Sequence, residues 1–203
     1  MKQSRDNEVY WERIYSNPAY VYGTSPNRYL VAQQPRLKPG MQALAIGDGE
    51  GRNGVWLARQ GLNTTSLDSS PAAVEKAKRL AGLNQVSLQH ECCDLLRWNW
   101  PHNRFDVVAA IYLHLPPDLR AIVHASTIDC LKPGGLLVLE AFHCTHAGAS
   151  TAIASTFYTR SLLQRDFCSL TILEAAEETL SLDEGPLHQG SAWVVRFLAQ
   201  KNT

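Results

Sequence analysis

From Met41 onward, apolar runs of strand length alternate with stretches whose apolar residues fall at helical spacing, an order that few architectures accommodate. Ala43 to Ile46 is the first run. It enters a Gly-rich turn, and Asn53 to Gln60 follows as a helix that Gly61 stops. Leu62 to Leu67 leads to Asp68, after which Ser70 and Pro71 supply an N-cap and a first-turn proline for a helix through Ala81. Val86 to Cys92 alternates into Asp94. Phe105 to Ile111 is continuously apolar, as suits a parallel strand covered on both faces. Pro116-Pro117-Asp118 opens a helix to Leu131, Lys132-Pro133-Gly134-Gly135 turns the chain, and Leu136 to Phe142 is another buried strand. A helix near Ser161 to Phe167 precedes two closing strands, Leu170 to Leu180 and Ser191 to Ala199, joined by a ten-residue loop. The pattern predicts one doubly wound α/β domain with a mostly parallel, seven-stranded sheet and a terminal antiparallel hairpin.

Residues 1–40 differ. Tyr10, Trp11, Tyr15, Tyr20, Tyr22 and Tyr29 stand among polar residues without a clear period, and the segment ends at the turn signal Lys38-Pro39-Gly40. It reads as an N-terminal cap over a domain spanning 41–203, with residues 1–28 expected to close over a bound ligand.

Nineteen basic and nineteen acidic side chains cancel, so there is no overall field to hold a nucleic acid or an anionic membrane, and a small-molecule partner is expected. Met1 to Arg13 carries no apolar leader core and no apolar run approaches bilayer length, which predicts a cytoplasmic protein. The five cysteines lack any C-x-x-C spacing and read as reduced thiols. Nothing in the sequence sets an oligomeric state.

In doubly wound sheets, ligands bind beyond the carboxyl ends of the strands, where the strand order reverses. The first such loop reads Ile46-Gly47-Asp48-Gly49-Glu50-Gly51-Arg52-Asn53, with a glycine at every second position before a helix N-terminus. Gly49 to Gly54 formally matches G-x-G-x-x-G. That match is out of register, because counting from Gly47, which directly follows the strand, puts Arg52 where the third glycine belongs. Asp48 and Glu50 would also repel a pyrophosphate, whereas they suit a ligand carrying an ammonium and a sulfonium. Asp68, about twenty residues on, stands where a carboxylate takes the two hydroxyls of a ribose, with a helix-terminus acid as its plainer reading. Asp94 ends the third strand, where a carboxylate can accept an exocyclic amine of adenine.

The run Ala43 to Ala81, together with Phe105-Asp106-Val107-Val108 and Leu131-Lys132-Pro133-Gly134-Gly135, resembles the class I methyltransferases that use S-adenosylmethionine (SAM), a Rossmann-like fold. Tyr20-Val21-Tyr22-Gly23-Thr24-Ser25-Pro26-Asn27, His114-Leu115-Pro116, Glu184-Gly185 and His188-Gln189-Gly190 are similar to the small bacterial tellurite-resistance and thiopurine type. The resemblance implies SAM as cofactor and a soft thiol or chalcogen oxyanion as methyl acceptor. It places Ile46 and the loop Gly47, Asp48, Gly49 and Gly51, with Asn53, beneath the methionine part of the cofactor. It sets Asp68 and Ser69 at the ribose, Asp94 and Leu95 at the adenine, Ile111 at the sulfonium pocket and Tyr22 as a lid residue. Two departures stand out: Ala45 replaces the usual acidic residue ending the first strand, so Asp48 takes over charge complementarity, and Ala147 to Ser155 lacks a Gly-Gly-Pro turn.

His114, just past the fourth strand, is the candidate catalytic residue, and His188 in the closing loop is either a cleft residue or an exposed one. His143-Cys144-Thr145-His146 is too short and lacks a fourth ligand, so no metal is expected. Trp98 and Trp100 read as packing. The function expected is methyl transfer to a small nucleophile; the alternatives are a SAM-binding sensor and, further off, a nicotinamide-dependent oxidoreductase.

Overall fold

The computed structural model describes residues 2–145 and 155–203, which leaves His146 and most of Ala147 to Ser155 outside it. The strands are β1 (Gln42–Ile46), β2 (Asn63–Asp68), β3 (Gln89–Cys92), β4 (Phe105–Ile111), β5 (Leu131–Phe142), β6 (Leu170–Asp183) and β7 (Gln189–Lys201). The helices are α1 (Lys2–Tyr15), α2 (Arg28–Ala32), α3 (Arg52–Arg59), α4 (Pro71–Leu83), α5 (Pro117–Cys130) and α6 (Arg160–Asp166). The strands form one seven-stranded sheet in the order β3-β2-β1-β4-β5-β7-β6. The pairs from β3 to β5 are parallel, and β7 runs antiparallel to both β5 and β6. The strand order reverses between β1 and β4, so a crevice opens at their carboxyl ends.

Both sheet faces are covered, which explains the continuous apolar runs. Leu44, Ile46, Val108, Ala110, Leu137 and Phe197 enter one core cluster, while their neighbours Ala43, Ala45, Val107, Ala109, Val138 and Leu198 enter another on the opposite face. Ser70 caps α4 as its sequence requires, its hydroxyl accepting the Ala73 N–H at 3.1 Å. Trp98 and Trp100 pack against the first cluster. No helix among the described residues is long and apolar enough to cross a membrane.

Three expectations need correction. The N-terminal segment opens with a 14-residue helix, α1, rather than an aperiodic strap. Its apolar face is only the pair Trp11 and Tyr15, four residues apart, and tertiary contact decides it: the Glu12 carboxylate accepts the Ser70 hydroxyl and the Ala72 N–H at the start of α4. β3 begins at Gln89 rather than Val86, and β5 begins at Leu131, with a register shift in its pairing to β4 taking up the expected turn. The closing hairpin is longer, because its strands pair out to Asp183 and Gln189 and leave only Glu184 to His188 as the turn.

Candidate active site

The loop after β1 takes its shape from two close approaches. Gly51 has φ +89° and packs where a Cβ would stand 2.6 Å from the Cβ of Ala77, so a side chain there would push α3 off α4. Gly49 has φ +57°, and a Cβ would meet the Tyr15 hydroxyl at 2.6 Å, which brings α1 directly onto the loop.

Both loop carboxylates have protein partners. Asp48 accepts the Ser66 hydroxyl at 2.7 Å and the Gly54 N–H at 3.1 Å. Burial pushes its carboxyl up to about 7, against the downward pull of those two donors. Glu50 accepts the amides of Val21 and Tyr22, both at 3.1 Å, and faces Lys76 Nζ at 2.7 Å; the same ammonium donates to the Ala19 carbonyl at 2.7 Å. The expectation that these acids face a cationic ligand is therefore corrected: Glu50 fastens the segment Ala19 to Tyr22, and Asp48 caps the first turn of α3. That segment is pinned rather than hinged.

At the end of β2, Asp68 accepts the Gly49 N–H at 2.8 Å and the Ser70 N–H at 2.9 Å, tying the loop to α4. Burial raises its carboxyl pKa despite these donors. Each carboxylate oxygen keeps a further lone pair. Asp94, after β3, accepts the Leu96 N–H at 3.0 Å and starts a turn that carries Leu95 inward.

Two cavities lie over these strand ends. The smaller, about 90 Å³, has Asp68, Ser69, Asp94 and Leu95 in its wall, with Leu115 and Val123 as apolar sides. The larger, about 540 Å³, is lined by Tyr22, Asp48, Gly49, Asn53 and Ile111 among others. They share Trp11, Tyr15, Gly47, Tyr112 and His114, so they are two arms of one cleft. Carboxylates at the ends of two adjacent strands beside an apolar slot, with a wider arm beyond a Gly loop, fit a nucleoside with a flexible polar tail.

The structure thus gathers most of the predicted residues. Ile46 and Gly51 depart from expectation, since neither is among the residues lining the two arms: Ile46 is 2% exposed within the core, and Gly51 is spent on Ala77. Asn53 lines the cleft, but its Oδ1 accepts the Asn27 N–H at 2.9 Å. His114 lines both arms. Its Nε2 accepts the Phe142 N–H at 3.2 Å, which assigns the proton of the neutral ring to Nδ1. His188 is buried in the larger arm, with ring centroids 4.6 Å from Tyr22 and 4.4 Å from Tyr112. Its Nδ1 lies 3.6 Å from Glu184, too long for a hydrogen bond but close enough for charge attraction. Burial would raise the Glu184 carboxyl, yet His188 and Arg52, the latter at 2.8 Å, hold it at about 2.

Sequence reasoning passed over Trp11, Tyr15, Tyr112 and Phe142 as cleft residues. Tyr112 has a left-handed φ of +52°, rare outside glycine, and its hydroxyl donates to Glu140 at 3.0 Å. The available signal was its place directly after Ile111, at the end of β4. Arg52, Glu184, Asn27, Glu140 and Arg196 form a buried polar chain joining the N-terminal segment to the closing hairpin. His143 stacks on Trp193 at 4.2 Å and its Nδ1 pairs with the Thr145 hydroxyl; the other histidine of that motif lies outside the described residues.

Residues 43–135 match the family model of the methyltransferase domain. With the sheet order and the cleft at its switch point, that match defines a class I methyltransferase domain whose cofactor is SAM. Among curated proteins, the chain is similar to the ubiquinone biosynthesis O-methyltransferase of Coxiella burnetii, 28% identical over 137 residues, which are 66% of this chain and 57% of the relative. The chain therefore spans a little over half the length of that relative. Its fold is also that of a protein solved in work on the conversion of a disulfide bond into a thioacetal group during echinomycin biosynthesis, with TM-score 0.79, 17% identity and coverage of 96% and 92% of the two chains. TehB from Haemophilus influenzae shares the fold at TM-score 0.73 and 18% identity, over 96% of this chain and 67% of that one.

Proposed function

We propose that this chain transfers the methyl group of SAM to a small-molecule nucleophile. The observation that carries the reading is the two-armed cleft, with Asp68 and Asp94 in one arm and an aromatic chamber in the other, meeting at Gly47, Tyr112 and His114. In this reading Asp68 and Ser69 hold the ribose, Asp94 and Leu95 hold the adenine, and Gly47, Asp48 and Gly49 lie beneath the methionine part. Bound SAM supplies a methyl carbon made electrophilic by its sulfonium. The acceptor's lone pair forms the new bond to that carbon as the carbon–sulfur bond breaks and leaves its electron pair on sulfur. A protonated acceptor must also release a proton, and an anionic one need not.

The chain's own residues supply dryness and position. Trp11, Tyr15 and Tyr22 cover the chamber, which excludes water from a reaction that quenches charge. His188 is better placed than His114 to take a proton. The Glu184 carboxylate favours a proton on His188 Nδ1 and leaves Nε2 as the basic atom, whereas the His114 Nε2 lone pair already accepts a backbone N–H. His114 serves to hold the chamber wall at Phe142.

The resemblance suggests soft acceptors, a thiol or a chalcogen oxyanion, and the fold likeness to TehB accords with it. Calorimetry with SAM, S-adenosylhomocysteine (SAH) and NAD, followed by a screen for SAM-to-SAH conversion across thiols, oxyanions and heterocycles, tests the reading. Micromolar SAM binding with turnover of one class is the expected result. Nicotinamide binding without SAM binding would overturn it, and SAM binding with no turnover in any class would favour a sensor.

A further inference from the structure

We propose that the methyl acceptor is a neutral, flat aromatic molecule that carries its nucleophilic atom on the ring, and not an oxyanion. The inference rests on methyl transfer at the cleft and specifies what the larger arm admits.

The wall of that arm is a chain of rings in edge contact. Tyr22 meets His188 at 4.6 Å, His188 meets Tyr112 at 4.4 Å, Tyr112 meets Phe142 at 4.9 Å, and Phe142 lies parallel to His114 at 5.5 Å. Such a wall offers faces and edges, the surfaces that ring-to-ring packing uses. The backbone at Tyr112 sits in a conformation that disfavours a side chain, and its hydroxyl is directed to Glu140, so the ring itself is what the chamber receives.

The charges around the chamber argue against an ion. Among the described lining residues the one Lys or Arg is Arg52, and it is paired with Glu184 at 2.8 Å and buried. An oxyanion would enter a chamber whose cation is already taken, losing its hydration without replacement. A cationic acceptor fares no better, because Glu50 is paired with Lys76 and Asp48 is held by Ser66 and Gly54. A neutral ring leaves every one of these pairs intact. Its ring hydroxyl, amine or thiol gains the methyl carbon at the attacking atom and gives up one proton, while sulfur keeps the electron pair of the broken bond.

The test uses the full chain and four probes: catechol and 8-hydroxyquinoline, neutral at pH 7, against selenite and 2-mercaptoethanol. SAH binding is measured first, then binding of each probe to the SAH complex, then SAM-to-SAH turnover. The two aromatic probes are expected to bind the SAH complex, and turnover with at least one of them should exceed that with the other two by about a hundredfold in kcat/KM. Phe142→Leu keeps the amide that His114 accepts but removes a ring, and should raise KM for the aromatic probe roughly three- to tenfold with SAH affinity unchanged. Failure to bind SAH sinks the methyl-transfer reading itself. SAH binding without binding of either aromatic probe, preferential turnover of selenite, or an unchanged KM in Phe142→Leu overturns this proposal alone.

Discussion

The Glu50 carboxylate and the Lys76 ammonium, both buried, meet at 2.7 Å and together hold the segment Ala19 to Tyr22 by two amides and a carbonyl. Removing one partner leaves the other as a desolvated charge, so Glu50→Gln should destabilise the protein by about 3–5 kcal/mol. Replacing both with apolar residues, as in Glu50→Leu with Lys76→Met, should recover much of that loss. Urea denaturation checks both variants. Hydrogen exchange at the Val21 and Tyr22 amides should be slow with or without SAH. Protection there that appears only on adding SAH would mean the segment is a hinged lid after all.

Asp68 is a strut of the Gly loop as well as the proposed ribose ligand. Asp68→Asn keeps an acceptor for one of its two amides but loses the charge, and should weaken SAH binding by about 1.5–3 kcal/mol, roughly ten- to a hundredfold. Calorimetry on a variant shown to be folded measures it. Unchanged affinity would reduce Asp68 to its structural role.

The two cleft histidines should separate kinetically. With its Nε2 lone pair given to the Phe142 amide, His114→Ala should leave the pH profile of kcat as it is. His188→Ala should lower kcat by about 10²–10⁴-fold for an acceptor that arrives protonated, with SAH affinity intact. The reverse outcome would restore His114 as the base.

Asp48 makes stability depend on pH. Its folded-state pKa, pushed up to about 7 by burial, lies above the unfolded value, so the folded chain holds this proton more tightly. The contribution is fully present below about pH 4 and is lost, by about 1.4 kcal/mol per pH unit, as pH rises towards 7. Asp48→Asn should abolish that slope, making the variant the more stable protein at pH 8 than at pH 5 relative to wild type. Parallel denaturation curves for the two proteins across that range would show that Asp48 is already ionised at pH 5.

Much of the fold was legible because its signals are local. The alternation from Ala43 to Phe142, the Ser70 cap, the capping glycines and the acids ending β2 and β3 each depend on spacing within a few residues, which helical and strand periods translate directly into faces and ends. The same locality placed Asp68, Asp94, Gly47 and His114 at the cleft before any contact was known.

What locality could not supply is direction and partner. The loop sequence put two carboxylates beside the cofactor site, but only the fold turned Asp48 back onto α3 and joined Glu50 to Lys76, 26 residues away. Asn27 reaches Glu140 across 113 positions, and the rings of Tyr22 and His188 meet from opposite ends of the chain. The α1 helix, the length of the closing hairpin and the aromatic chamber all arise from such contacts. A periodic pattern states which face of an element is apolar, while the identity of the group that meets that face is a property of the packed chain alone.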